Sequence, residues 1–320
     1  MTPAEGKPDS KPETRAGRRI APPQGRWHGP WLAPAKLNLF LHITGRRADG
    51  YHSLETLFQF IDLHDEIWLR PTADTTIVRD SPLPGVPPGD DLVTRAAGAL
   101  QRASGVRAGV RIRVIKRIPI GAGLGGGSSD AATVLLALNR LWGCDLDGHR
   151  LAEIGTALGA DVPVFLGGRA AFATGIGERL QPRDPPRPWY LLLDAGVPVG
   201  TADVFADAKL TRDTPPLKMS ADFTGTEHND CWPVVQRRFP AIRHAQRWLA
   251  RHAPARLSGT GGCLFAAFDS AAAARQVKRL VPPPWRAWVC RGLNHHPCRR
   301  LFSAETWSTS FTRYWGVAKR

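Results

Sequence analysis

The chain has 320 residues, 42% of them hydrophobic, and a formal net charge of +15. That composition describes a globular protein with room for two modest domains and excludes a wholly disordered chain. No apolar run reaches the eighteen or so residues of a membrane span, and the first thirty residues hold no apolar h-region, so neither a membrane anchor nor a secretory signal is expected.

Part of the charge is peripheral. Residues 1–28 hold six Lys/Arg against three Asp/Glu, and residues 297–320 hold five against one. The rest is spread without a dense basic helix, which suits solubility and attraction for anionic ligands better than a dedicated nucleic-acid face. The cysteines, Cys144, Cys231, Cys263, Cys290 and Cys298, form no CxxC pair. Their odd count suits reduced thiols in a cytoplasm.

In chain order, residues 1–28 read as a disordered leader. Strands are expected from Trp31 to about Arg70, turning at Asp49-Gly50, a strong hairpin signal. Asp90-Asp91 opens a helix with Leu92, Ala96 and Leu100 on one face. Val110, Ile112 and Val114 alternate with arginines as a half-buried strand. A glycine-rich stretch follows, and then Val134, Leu135, Leu138, Leu141 and Trp142 at helical spacing. A further helix with Leu151, Ile154 and Leu158 stops at Gly159.

Strands are expected at 170–174 and 189–194, separated by DPPRP (184–188), the best domain boundary. Beyond it come a helix at 201–208, helices around Pro240, a strand-loop-strand at 256–268, a helix at 271–281 and a strand at 285–291. Residues 303–320 form a tail without pattern. Strands and helices without regular βαβ alternation indicate an α+β fold in two domains, 29–183 and 184–302.

The glycine stretch is IPIGAGLGGGSSDAA, residues 118–132. Its order of strand, bare loop, Ser-Ser-Asp and helix suits an anion, most naturally phosphate. Glycine lets a ligand approach the backbone, and the helix start supplies free N–H groups. Ser128, Ser129 and Asp130 could cap that helix. A Walker A loop is excluded, because Gly127 stands where lysine is required. A dinucleotide fold is excluded because Asp145 and Asp147 lie in a turn after a helix, not at a strand end. HHPC (295–298) has no partners at zinc-ligand spacing and reads as surface, so no metal site is expected.

This stretch resembles the central loop of the GHMP kinases. PAKLNLFLHITGRRADGYHSLETLFQ (34–59) is similar to their N-terminal motif and LSGTGGCLFAAF (257–268) to their C-terminal glycine motif. PAKLNLFL, DGYH and LGADVPVFL together resemble the branch acting on a methylerythritol unit that carries cytidine diphosphate. The resemblance runs from about Trp31 to Leu301. It implies a ribosomal-protein-like α+β ATP domain followed by a ferredoxin-like α+β domain. It also implies phosphorylation of a 2-hydroxyl by ATP with Mg2+, on the route to isoprenoid precursors, without a tightly bound cofactor.

Asp161 lies in LGADVPVF, between a helix stop and Pro163, where a plain helix cap is the simpler reading of the residues alone; the resemblance makes it catalytic. Lys36 reads alone as a solvated strand lysine; the resemblance makes it the catalytic partner of Asp161. Asn38 shares its strand face and binds substrate or satisfies backbone. Tyr51 and His52 suit hairpin packing or a cytosine, with Tyr51 stacking and His52 on the base edge under the resemblance. Thr201 and Phe205 read as an N-cap and an amphipathic core residue; the resemblance adds them to the substrate site, Phe205 on the second cytosine face. For ATP the candidates are Pro119, Gly121, Gly123, Gly125, Gly126, Gly127, Ser128 and Ser129. Gly259, Gly261 and Gly262 form a second loop near the substrate phosphates. Two other readings stay open, a different GHMP small-molecule kinase and a basic RNA-binding protein. The expected partner is the small molecule alone, with no nucleic acid or membrane, acting on a monomer or homodimer in the cytoplasm.

Overall fold

A computed structural model describes residues 25–80, 83, 86–217, 228–298 and 301–302. The leader up to residue 24 and the tail from 303 lie outside the described residues. Residues 25–28 lie inside them, with His28 opening the first strand.

Strands β1 (His28–Arg46) and β2 (His52–Thr72) form one long antiparallel hairpin. Gly50 turns it at φ +87°, a conformation that side chains resist. The pairing slips between Pro34 and Lys36 and again between Asn38 and Leu41. Such irregularities re-aim side chains, and these two bracket Lys36 and Asn38. β3 (Ile77–Arg79) runs parallel to β4 (Gly109–Ile115), which pairs with β2. β4 alternates buried and exposed residues as its sequence predicts.

Helix α1 (Leu92–Ser104) starts at Asp91, whose carboxylate accepts from the Val93 amide at 3.1 Å, and ends at left-handed Gly105. α2 (Gly126–Leu141) is buried from Ser129 to Leu138. α3 (Gly148–Leu158) is capped by Asp147, and α4 (Val162–Gly167) follows Asp161 directly. β5 (Ala171–Thr174) pairs with β2 and with β6 (Arg179–Pro182), a strand whose short run carried no sequence signal.

After 184–188 come β7 (Trp189–Asp194), α5 (Thr201–Phe205), α6 (Trp232–Arg238) and α7 (Pro240–Leu249). They are followed by β8 (Ala255–Leu257), β9 (Cys263–Phe268), α8 (Ala271–Lys278) and β10 (Arg286–Leu293). The sheet order is β3-β4-β2-β10-β7-β9-β8, with β1 on β2 and β5 on β2 and β6. β10 joins the halves: it lies along β7 over Arg286–Arg291 and meets β2 at Gly292 and Leu293.

One apolar core gathers α1, α2, α4 and the inner faces of β2 and β4 around Phe60, Leu135 and Phe165. A second gathers α6, α7, β7 and β9 around Val235, Trp248 and Leu264. β1 reaches both, with Trp31 in the first and Leu41 and Ile43 in the second. Burying each such large side chain contributes about 1.5–3 kcal/mol. After β10 the chain returns to the first core through Cys298, Leu301 and Phe302. HHPC is therefore not surface: His296 is 1% exposed and packs on Phe60 and Phe302. Burial drives its pKa down to about 3.

Candidate active site

A cavity of about 930 Å³ opens between the two cores. Its walls include Lys36, Asn38 and Asp161, the loop from Pro119 to Ser128, and Tyr51, His52, Thr201 and Phe205.

Lys36 projects from the irregular part of β1 and is 3% exposed. Its Nζ lies 3.2 Å from Asp161 Oδ2 and donates to Asn38 Oδ1 at 2.5 Å and Gly123 O at 3.3 Å. The Phe58 ring lies 5.2 Å below it. Asn38 in turn donates to Thr56 Oγ1 at 2.9 Å. A Cβ on Gly125 would stand 3.1 Å from the lysine stem, so the bare loop leaves a channel for Lys36. Asp161 occupies the N-cap position of α4, yet its side chain caps nothing and faces Lys36.

The glycine loop leads into α2, whose first i to i−4 bond runs from Ser129 N to Gly125 O. The amides of Gly126, Gly127 and Ser128 precede it and have no acceptor within the helix, as an anion site requires. The N-cap is left-handed Gly125, without a side-chain cap bond. Ser128, Ser129 and Asp130 thus lie inside the helix and do not cap it: the backbone turns into α2 three residues before the first hydroxyl. Ser129 is fully buried, and its Oγ has no partner among the described residues. It is the one predicted ATP residue off the cavity wall.

The two glycine loops interlock. A Cβ on Gly123 would meet Ser258 O at 2.3 Å, and one on Gly262 would meet Ala122 Cα at 2.7 Å. Cys263 N donates to Ala122 O at 3.1 Å and Ser258 Oγ to Gly123 O at 3.0 Å. Several of these glycines serve backbone-to-backbone packing, which the sequence does not distinguish from phosphate binding.

At the other end, His52 stacks on Phe205 with ring centroids 5.1 Å apart, and Tyr51 stands at the mouth, 61% exposed. Thr201 is not an N-cap: Gly200 is, and the Thr201 hydroxyl lies 2.9 Å from that of Thr260.

Two groups escaped the sequence reading. Lys116 lines the cavity and bridges Asp65 and Asp130 Oδ2, the latter at 2.8 Å. Burial alone would lower its pKa, but Asp130 and Asp65 outweigh burial and hold it above the ordinary value. Asp130 is pushed up to about 7 by burial, against the pull of Lys116. Asp65 also accepts from the Arg117 and Ile118 amides at 2.5 and 2.9 Å, which fixes the entry to the loop. The only local signal was a lysine just before the glycines. Arg212, behind His52, gave no signal.

Comparison with known proteins identifies the family. The sequence profile of the GHMP kinases N terminal domain matches residues 91–169, and that of the GHMP kinases C terminal domain matches 223–282. The chain belongs to the GHMP kinases. Within them, relatives at about half identity carry the name 4-diphosphocytidyl-2-C-methyl-D-erythritol kinase. The protein of that name from Halorhodospira halophila is 52% identical over 270 residues, 83% of this chain and 94% of its own. That from Pseudomonas paraeruginosa is 52% identical over 262 residues, 82% of this chain and 93% of its own. A crystal structure of 4-(cytidine 5'-diphospho)-2C-methyl-D-erythritol kinase superposes with TM-score 0.72 at 35% identity, covering 82% of this chain and 98% of that one. A mevalonate kinase structure at 17% identity and TM-score 0.63 shares the fold.

Proposed function

We propose that this chain transfers the γ-phosphoryl group of ATP to the 2-hydroxyl of 4-diphosphocytidyl-2-C-methyl-D-erythritol. The observation that carries this reading is the Lys36–Asp161 pair, 3.2 Å apart, between the amide-lined loop and the His52–Phe205 stack. The 52% relatives favour this acceptor over those of other GHMP kinases.

ATP enters as its magnesium complex, in which the ion offsets phosphate charge. Its phosphates lie on the amides of Gly126, Gly127 and Ser128. The cytidine end lies by Tyr51, His52, Thr201 and Phe205. That leaves the acceptor hydroxyl at Asp161, which takes or orients its proton while the oxygen bonds to the γ-phosphorus and the bond to ADP breaks. Lys36 keeps a positive charge beside both Asp161 and the transferring group, where developing charge is best offset. Asn38 holds the ammonium and Thr56 holds Asn38. The halves 29–183 and 184–302 act as the two domains. The protein works in the cytoplasm, as monomer or homodimer, without a nucleic-acid partner. Among the described residues no helix is long and apolar enough to cross a membrane.

The test is ADP release from ATP with this substrate, comparing wild type with Asp161→Ala. Turnover in wild type that falls roughly 10²–10⁴-fold in the variant is expected for a lost proton acceptor. Wild type that binds ATP but turns over nothing would remove the acceptor assignment. Undiminished turnover in Asp161→Ala would remove the aspartate.

A further inference from the structure

Behind the cytidine end of the cavity stands a guanidinium that lines no wall. Arg212 Nη2 donates to Phe205 O at 3.0 Å and Asp207 O at 2.8 Å, and its Nη1 donates to Leu210 O at 3.1 Å. Those three carbonyls, one at the end of α5 and two in the turn after it, hold the group in place. Its Nε donates to His52 Nε2 at 3.0 Å.

A guanidinium has donors and no acceptor, and it does not lose its proton in proteins. His52 Nε2 is therefore an acceptor. In a neutral imidazole the proton then sits on Nδ1. A protonated ring would set N–H against N–H. Burial, Arg212 and Arg46 all lower the His52 pKa, which agrees with a neutral ring. Phe205 stacks on the same ring and is tied to Arg212 through its carbonyl. One guanidinium thus positions both aromatic groups. No group among the described residues bonds His52 Nδ1, which lies across the ring from Arg212.

We infer that Arg212 is a positioning residue that locks His52 as the neutral Nδ1–H tautomer and so makes the site select cytosine over uracil. The inference rests on the cytidine reading above. Cytosine presents an acceptor at N3 between its 4-amino donor and O2. Uracil presents N3–H there. An Nδ1–H donor completes a bond to cytosine N3 and opposes the N3–H of uracil. The opposite tautomer would reverse that preference. Leaving one buried polar group unpaired costs roughly 10- to 100-fold in affinity.

The experiment uses the full chain with 15N-labelled histidine. Imidazole NMR at pH 7 reads the His52 tautomer, assigned by loss of its signals in His52→Asn. CDP and UDP are then compared as competitors of substrate turnover in wild type, Arg212→Lys and Arg212→Met. Wild type is expected to show the Nδ1–H form and to bind CDP roughly 10- to 100-fold more tightly than UDP. In Arg212→Met that ratio falls at least fivefold, and the loss in turnover falls on KM rather than kcat. Arg212→Lys, still a pure donor, keeps most of the ratio. An Nε2–H signal in wild type overturns the inference even if no variant folds. A CDP/UDP ratio unchanged in Arg212→Met overturns the selectivity. Wild type that turns over its substrate yet binds CDP and UDP alike overturns it too. Wild type with neither turnover nor CDP binding sinks the cytidine reading, while the tautomer is still read directly.

Discussion

A lysine on a strand and an aspartate after a helix stop are 125 positions apart, and each alone has an ordinary explanation. Only the fold sets them 3.2 Å apart, with Asn38 and Gly123 completing the shell around the ammonium. Lys36→Met keeps the length of the stem beneath Gly125 and removes the charge. It is expected to lower kcat roughly 10²–10³-fold, the scale of one lost electrostatic contact to the transition state. Thermal unfolding of the same variant checks that the hairpin still forms. Lys36 and Asp161 were legible because their neighbouring residues match a family pattern. Lys116 and Arg212 were not legible: a basic residue in a basic chain gives no hint of the carboxylates or carbonyls that will surround it. Tyr51 and Phe205 were named from motif position, whereas the stacking of Phe205 on His52 and the register that turns His52 towards Arg212 belong to the tertiary structure.

The glycine loop shows what a segment can and cannot reveal. Its order of strand, bare loop and helix was plain from the sequence, and the free amides at the start of α2 follow from it. That Gly123 is bare because a second loop presses on it was hidden, since the two loops are more than 130 residues apart in the chain. The glycines are therefore not equivalent. Gly123→Ala needs a left-handed residue at φ +73° and puts a methyl 2.3 Å from Ser258 O. It is expected to destabilise the protein by more than about 1 kcal/mol. Gly127 lies in α2 with its nearest neighbour at 3.5 Å. Gly127→Ala should raise stability by roughly 0.5–1 kcal/mol, since glycine is a poor helix residue. Urea unfolding of the pair checks both signs. Helices α1, α2 and α3 were read from apolar spacing, whereas the six-residue α4 was not. Strand β6 was missed because four residues in a partly buried edge pair carry too short a pattern.

The α+β reading holds for the whole molecule, but the joining of its halves was not visible. A strand near 285–291 was expected, yet nothing local says that its last residues reach back to β2. The return of the chain buries His296, whose Nε2 has no partner among the described residues. With its folded pKa near 3, the unfolded chain takes up a proton below about 6.5 and the folded one does not, so stability falls as pH falls through that range. Asp130, raised to about 7, binds its proton in the folded state first and acts in the opposite direction. The difference between wild type and His296→Phe isolates the histidine. Between pH 7 and 5 wild type should lose about 2 kcal/mol relative to the variant, at about 1.4 kcal/mol per pH unit below 6.5. Equal pH slopes in urea unfolding would show that His296 does not titrate this way.

The late arrival of β10 also sets an order of events during synthesis. A ribosome adds roughly 5–20 residues per second. Ile61 of β2 waits for Gly292, and Gly123 waits for Ser258, so a nascent chain carries its lysine and aspartate for many seconds with an open sheet edge and a loop lacking its counterpart. The frame around the cavity is therefore complete only after Ser258 and Gly292 have been made. Chains released before β10 would hold Lys36 and Asp161 in an unfinished frame, with Gly292 and Leu293 not yet laid against β2.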